Sequence, residues 1–278
     1  MRSEELDGSF DRFAHLRQPA SDLCWWCGSK PATTGEHKFK RSDMARLMEG
    51  SPSLVWGYQG SGVTRELRGQ GALKRDRYKV LKFPKSLCDT CNNSTSQPFD
   101  YAYDQFSSYL GSHNLRWLPG VPLGEIYGSS WPGSSLALAR YYAKHFGCRM
   151  VRAGVPVPRS LVDFMNGASD MSDGHMVFVT TDSVHRVYRQ GLYISPDGCW
   201  ADHEQTRFVG YVGAAYVGSL GVRYEWREGG FPDALRSQFF HFTHPVINCY
   251  TDEYSVAFGG PRQPGWFARL SQWVNKPR

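Results

Sequence analysis

Two short stretches decide how this chain folds: DLCWWCG at residues 22–28 and LCDTCNN at residues 87–93. Each carries cysteines at CxxC spacing, Cys24 with Cys27 and Cys88 with Cys91. Four thiolates in two such pairs suit a tetrahedral zinc ion and leave it no open position, so a structural ion is expected. Roughly sixty residues lie between the pairs, more than a compact zinc ribbon needs, so the closed loop must hold structure of its own. The opening MRSEELDGSFDRFAHLRQPASD mixes charges and has no apolar core, so no secretory leader is expected, and a cytoplasmic location is. Metal, not a disulfide framework, is then the expected use of the pairs, and the odd total of seven cysteines agrees. Cys148, Cys199 and Cys249 stand alone and read as small buried apolar residues.

Between the pairs runs TTGEHKFKRSDMARLM, residues 33–48, read as a strand ending near His37 and a short helix around Arg41–Met48. Residues 49–77 are rich in Gly and Ser and suit a hairpin or a basic loop, and RYKVLKFPKSL, residues 77–87, alternates as a strand. Clasping the two cysteine pairs would bring Glu36, His37 and the start of a helix at Asn92 around one pocket. A carboxylate and an amide oxygen are hard donors suited to magnesium or manganese, and a neutral imidazole can take a proton from water. These are the parts of metal-assisted phosphodiester hydrolysis. Asn92 and Asn93 are equally suited to capping the helix.

From Glu36 to Ser86 there are twelve Lys or Arg residues against five acids, in a chain of net charge +6. A local basic field of this kind favours polyanions. Lys38, Lys40 and Arg41 form one basic group, and Lys74, Arg75, Arg77, Lys79 and Lys82 a second. Each suits phosphate contact or an ordinary solvated face. Trp25 and Trp26 either cover the zinc turn or stack on a base.

CWWCG, TTGEHKF and LCDTCNN together resemble the zinc-containing HNH nucleases of ββα-metal fold. The resemblance covers about residues 22–110. It implies that His37 is the general base, that Glu36 and Asn92 hold a catalytic Mg²⁺ or Mn²⁺ with Asn93 as second choice, and that Cys24, Cys27, Cys88 and Cys91 hold zinc. The substrate it implies is nucleic acid, DNA first. The family's middle Asn has no counterpart between Thr64 and Ser86, where Gln70, Asp76 or a backbone carbonyl remain as substitutes.

With 41% hydrophobic and 14% aromatic residues the chain is globular, and no apolar run is long enough to span a membrane. The expected fold class is α+β. An arm covers 1–21, the ββα-metal module 22–112, a connector 113–133, and an α/β accessory region 134–278 that turns β-rich toward its end. In QPFDYAYDQFSSYL, Phe99, Tyr103, Phe106 and Leu110 share a helical face. SSLALARYYAKHFGCRMV reads as a helix capped at Ser134 or Ser135, with His145 structural, and PVPRSLVDFMNG as a helix opened by Pro158. Strands follow from Met176. The accessory region suits self-association, a regulatory partner or a sensor controlling the nuclease. A non-catalytic zinc-supported nucleic-acid-binding module is the alternative for the whole.

Overall fold

The computed structural model describes residues 12–49, 53–58, 64–68, 81–113, 120–180, 191–217, 220–236 and 239–251. The chain is a mixed α+β protein. Its helices are α1 (Arg41–Met48), α2 (Gln97–Ser112), α3 (Leu123–Tyr127), α4 (Trp131–Arg152), α5 (Arg159–Met165) and α6 (Asp233–Arg236). Its strands are β1 (Ser53–Tyr58), β2 (Thr64–Arg68), β3 (Gly120–Pro122), β4 (Gly174–Thr180), β5 (Gly191–Ile194), β6 (Gly198–Ala201), β7 (Phe208–Val217), β8 (Leu220–Arg227) and β9 (Val246–Thr251).

The strands form one nine-stranded sheet in the order β2-β1-β5-β7-β8-β4-β9-β3, with β6 also on β7. Most neighbours are antiparallel; β1 with β5 and β4 with β9 are parallel. The β1–β2 hairpin lies between the two cysteine pairs, yet it docks on the far half of the chain through Val55 beside Gly191. Parallel neighbours need a long crossover, and here most of the molecule supplies it.

Two further segments run antiparallel without forming regular strands. Phe83 N–H donates to the Glu36 carbonyl at 2.8 Å, Lys38 N–H to Leu81 at 2.7 Å and Thr34 N–H to Leu87 at 2.9 Å. His37 faces Lys82 across this ladder. Gly35 makes the approach possible, because a Cβ there would overlap the Phe83 carbonyl. The second cysteine pair follows the ladder. A π-helical turn over Thr90–Thr95 then leads into α2, whose Pro98 sits in the first turn, where a missing N–H costs nothing.

α4 begins at Trp131, earlier than a Ser134 or Ser135 cap, and Pro132 opens it. Residues 120–130 of the expected connector form β3, α3 and a 3₁₀ turn. Every residue of α4 from Tyr141 to Met150 is buried, the mark of a helix surrounded by protein. It packs on α2, α3 and α5 and turns its Tyr142 and Phe146 toward Tyr224 of β8. Arg149 stitches the break between β5 and β6 by donating to the Ala214 and Ser195 carbonyls and to Asp197. One apolar core runs from Cys24 and Leu87 through Phe106 and Phe146 to Tyr224 and Ile247, so residues of 22–112 and of 134–278 share it. No helix among the described residues is long and apolar enough to cross a membrane.

Candidate functional site

The first cysteine pair sits on a tight turn. Gly28 N–H returns to the Cys24 carbonyl at 2.8 Å, and Gly28 adopts φ +65°, a left-handed conformation that glycine takes without steric cost. Trp25 N–H donates to the Ser86 carbonyl at 3.1 Å, which ties this turn to the ladder segment leading to Cys88. The thiol sulfurs of Cys24, Cys27, Cys88 and Cys91 consequently lie within 4.8 Å of one another, and Cys27 Sγ is 3.9 Å from Cys88 Sγ. Sulfurs about 2.3 Å from a common centre would be separated by this kind of spacing, so the group can hold a metal ion such as zinc. Burial works against ionising Cys27, but hydrogen bonds from Ser29 and Lys30 prevail and bring its thiol down to about 6. Burial pushes Cys24 and Cys91 up instead, and a bound cation would reverse that.

Both tryptophans of the turn are structural. Trp26 is buried, stacks on Phe99 with centroids 6.0 Å apart and donates Nε1–H to Asn166 at 2.9 Å. Trp25 lies flat against Gly147 of α4, where a Cβ would overlap its ring.

Glu36 and His37 leave the ladder in different surroundings. Glu36 is buried, with Oε2 3.2 Å from Lys144 Nζ and Oε1 3.5 Å from His145 Nε2. Burial alone would raise its carboxyl; the His145 contact and the Lys144 charge outweigh that and hold it at about 2. His37 lies at the surface. Partial burial and the nearby Lys82 ammonium lower its pKa, against the pull of Glu36, which favours the neutral ring.

Asn92 sits on the π-helical turn. Its Oδ1 is sequestered from solvent with no hydrogen-bond donor among the described residues, an unusual state for a buried amide oxygen. Asn93 is exposed and donates to Asp89 at 2.6 Å. Ser96 links Asn92 to the charged centre: its Oγ donates to the Asn92 carbonyl at 2.5 Å and accepts from Lys144 at 3.2 Å. Asp100 joins from α2, with Oδ2 3.3 Å from Lys144 and Oδ1 3.4 Å from Lys40. Lys40 also bonds Asp104 at 2.7 Å. A chain of alternating charge therefore runs Glu36–Lys144–Asp100–Lys40–Asp104.

Of the basic residues, Lys38 is buried and Lys40 is held in these ion pairs, whereas Arg41 and Lys82 are exposed. Lys74, Arg75, Arg77 and Lys79 lie outside the described residues. Lys144, Ser96 and Asp100 escaped the sequence reading, which takes His145 as structural only. The available signal was a Lys-His pair inside YYAKHFGC, polar residues in a run with no solvent face.

Beside this centre, a cavity of about 210 Å³ opens between α1, α2, α4 and β7–β8, lined among others by Lys38, Tyr103, Tyr141, His145 and Tyr224. Asp43 at its wall is already satisfied by Tyr103, Ser107 and Arg46. Among the described residues, the four cysteines are the one group of three or more His, Cys, Asp or Glu placed to share a metal ion. Comparison with protein-family models, with curated proteins and with solved structures found no match for this chain.

Proposed function

We propose that residues 22–112 form a zinc-clasped ββα-metal module of the HNH kind that hydrolyses phosphodiester bonds, in DNA first. The observation that carries this reading is a surface histidine, His37, next to a buried carboxylate, Glu36, on a ladder whose ends meet at four clustered cysteine sulfurs. His37 accepts the proton of an attacking water, which a neutral imidazole at pH 7 can do and an imidazolium cannot. Exposed Lys82 faces it across the ladder and, with exposed Arg41 at the start of α1, gives a phosphate backbone cationic contacts.

The donor types suit a divalent Mg²⁺ or Mn²⁺: the carboxylate of Glu36 and the orphaned Oδ1 of Asn92 are hard oxygens, and Asn93, turned to Asp89, is the poorer candidate. When bound, such an ion supplies positive charge to the phosphate and the leaving oxygen. Zinc in the cysteine cage has the separate task of holding the ladder together.

One observation favours the second reading, a zinc-supported nucleic-acid-binding module without catalysis: Lys144 already neutralises Glu36. The two are separated by incubating supercoiled plasmid with the zinc-loaded chain and Mg²⁺ or Mn²⁺. Nicking by the parent, with a loss of about a hundredfold or more in His37→Ala, is the expected result. Binding of the plasmid by both proteins without nicking under either ion establishes the non-catalytic module.

A further inference from the structure

Lys144 is fully buried, and its Nζ lies within ion-pair distance of two carboxylates. Three oxygens surround its Nζ: Glu36 Oε2 at 3.2 Å, Ser96 Oγ at 3.2 Å and Asp100 Oδ2 at 3.3 Å. They come from the ladder, the helix entry and α2, while the lysine comes from α4. Ser96 and Asp100 accept two of the ammonium's three protons, and Glu36 adds an ion pair. The next residue, His145, points Nε2 at the other Glu36 oxygen from 3.5 Å and makes no hydrogen bond there. Carboxylate and hydroxyl oxygens are also donors that Mg²⁺ and Mn²⁺ accept.

We propose that Lys144 is a resident cation in an oxygen cage, a positioning residue that fixes Glu36 against Asp100 and keeps divalent ions from binding Glu36 tightly ahead of substrate. The inference rests on Glu36 being a cation ligand, as the proposed function has it. An ammonium and a divalent ion at adjoining positions repel strongly where water is excluded. Mg²⁺ is commonly held by one or two carboxylates together with substrate phosphates. With Lys144 in place, the ion is taken up together with the phosphate that completes its ligands.

The test is Mn²⁺ binding to the full zinc-loaded chain, followed by calorimetric titration without nucleic acid. The parent is expected to bind Mn²⁺ weakly. Lys144→Met removes the ammonium that Glu36 and Asp100 share, and should bind one Mn²⁺ about tenfold or more tighter. Lys144→Arg, which keeps the charge, should stay at the parent's affinity, and Glu36→Gln added to Lys144→Met should remove the gain. A folded Lys144→Met with the parent's affinity overturns the proposal. Should Lys144→Met not fold, circular dichroism during Mn²⁺ addition decides: recovery of the fold supports the resident-cation role, and no recovery in either Lys144→Met or Lys144→Gln overturns it. The outcome is independent of nicking. Tighter Mn²⁺ binding in variants that never cut DNA upholds this inference and removes the nuclease; a nicking parent whose Lys144→Met shows no gain does the reverse.

Discussion

Glu36 is ionised in an interior that should disfavour charge, and its neighbours explain why. Lys144 and His145 reward the carboxylate form more than burial penalises it, so the group is held at about 2 instead of the ordinary 4.5. A carboxyl depressed on folding contributes stability above its unfolded value and loses it on acidification, here from about pH 4.5 down to about 2. Asp197, beside Arg149 and Arg152, is also held at about 2 against burial and adds to the same acid sensitivity. Glu36→Gln removes one partner of a buried pair while Asp100 still faces Lys144. In urea titrations at pH 7 it should cost about 3 kcal/mol, the low end for breaking such pairs. The gap to the parent should shrink as the pH falls below 4.5. A constant gap across that range would mean that the carboxylate's charge is not what stabilises it. Glu36 and His37 were legible as a dipeptide between cysteine pairs; the ammonium opposite Glu36 was not, because it comes from a helix more than a hundred positions away whose docking no local pattern encodes.

At the scale of elements, α4 and the cysteine turn depend on each other at Gly147 and Trp25. Gly147→Ala would push a methyl into the indole ring, and overpacking of this kind costs about 1–3 kcal/mol. The expected readout is a lower Tm together with a shift in Trp fluorescence, because the ring must move. An unchanged emission spectrum would place Trp25 elsewhere. The helices were largely readable from spacing: α1, α2 and α5 fall where apolar periodicity and Pro158 put them, and Phe99, Tyr103 and Phe106 are buried on α2. β7 and β8 were readable as long apolar runs. β6 was missed, since GCWA is short and lacks alternation. The β1–β5 pairing was missed because register between distant parallel strands leaves no mark on either strand alone.

For the whole molecule, the cysteine cage and the shared core are two independent ties between the ends of the first hundred residues. Metal analysis should return one zinc per chain. Stripping it with a chelator should lower Tm by about 10 °C or more, given about 2–4 °C per kcal/mol for chains of this size and the coupling of zinc binding to folding. A chain that melts at the same temperature without metal would show that the core alone holds the ladder. Cys24, Cys27, Cys88 and Cys91 could be paired from the sequence because CxxC spacing is itself the geometry of a metal turn. The large core shared by 22–112 and 134–278 could not, since apolar faces do not name their partners.

The neighbour relation between Val55 and Gly191 also sets an order of events on the ribosome. At synthesis rates of about 5–20 residues per second, the β1–β2 hairpin emerges on the order of ten seconds before the strand it will lie against. During that interval one edge of β1 presents bare amides and carbonyls to the cell, a period in which a nascent chain invites foreign strands or needs a chaperone's shelter.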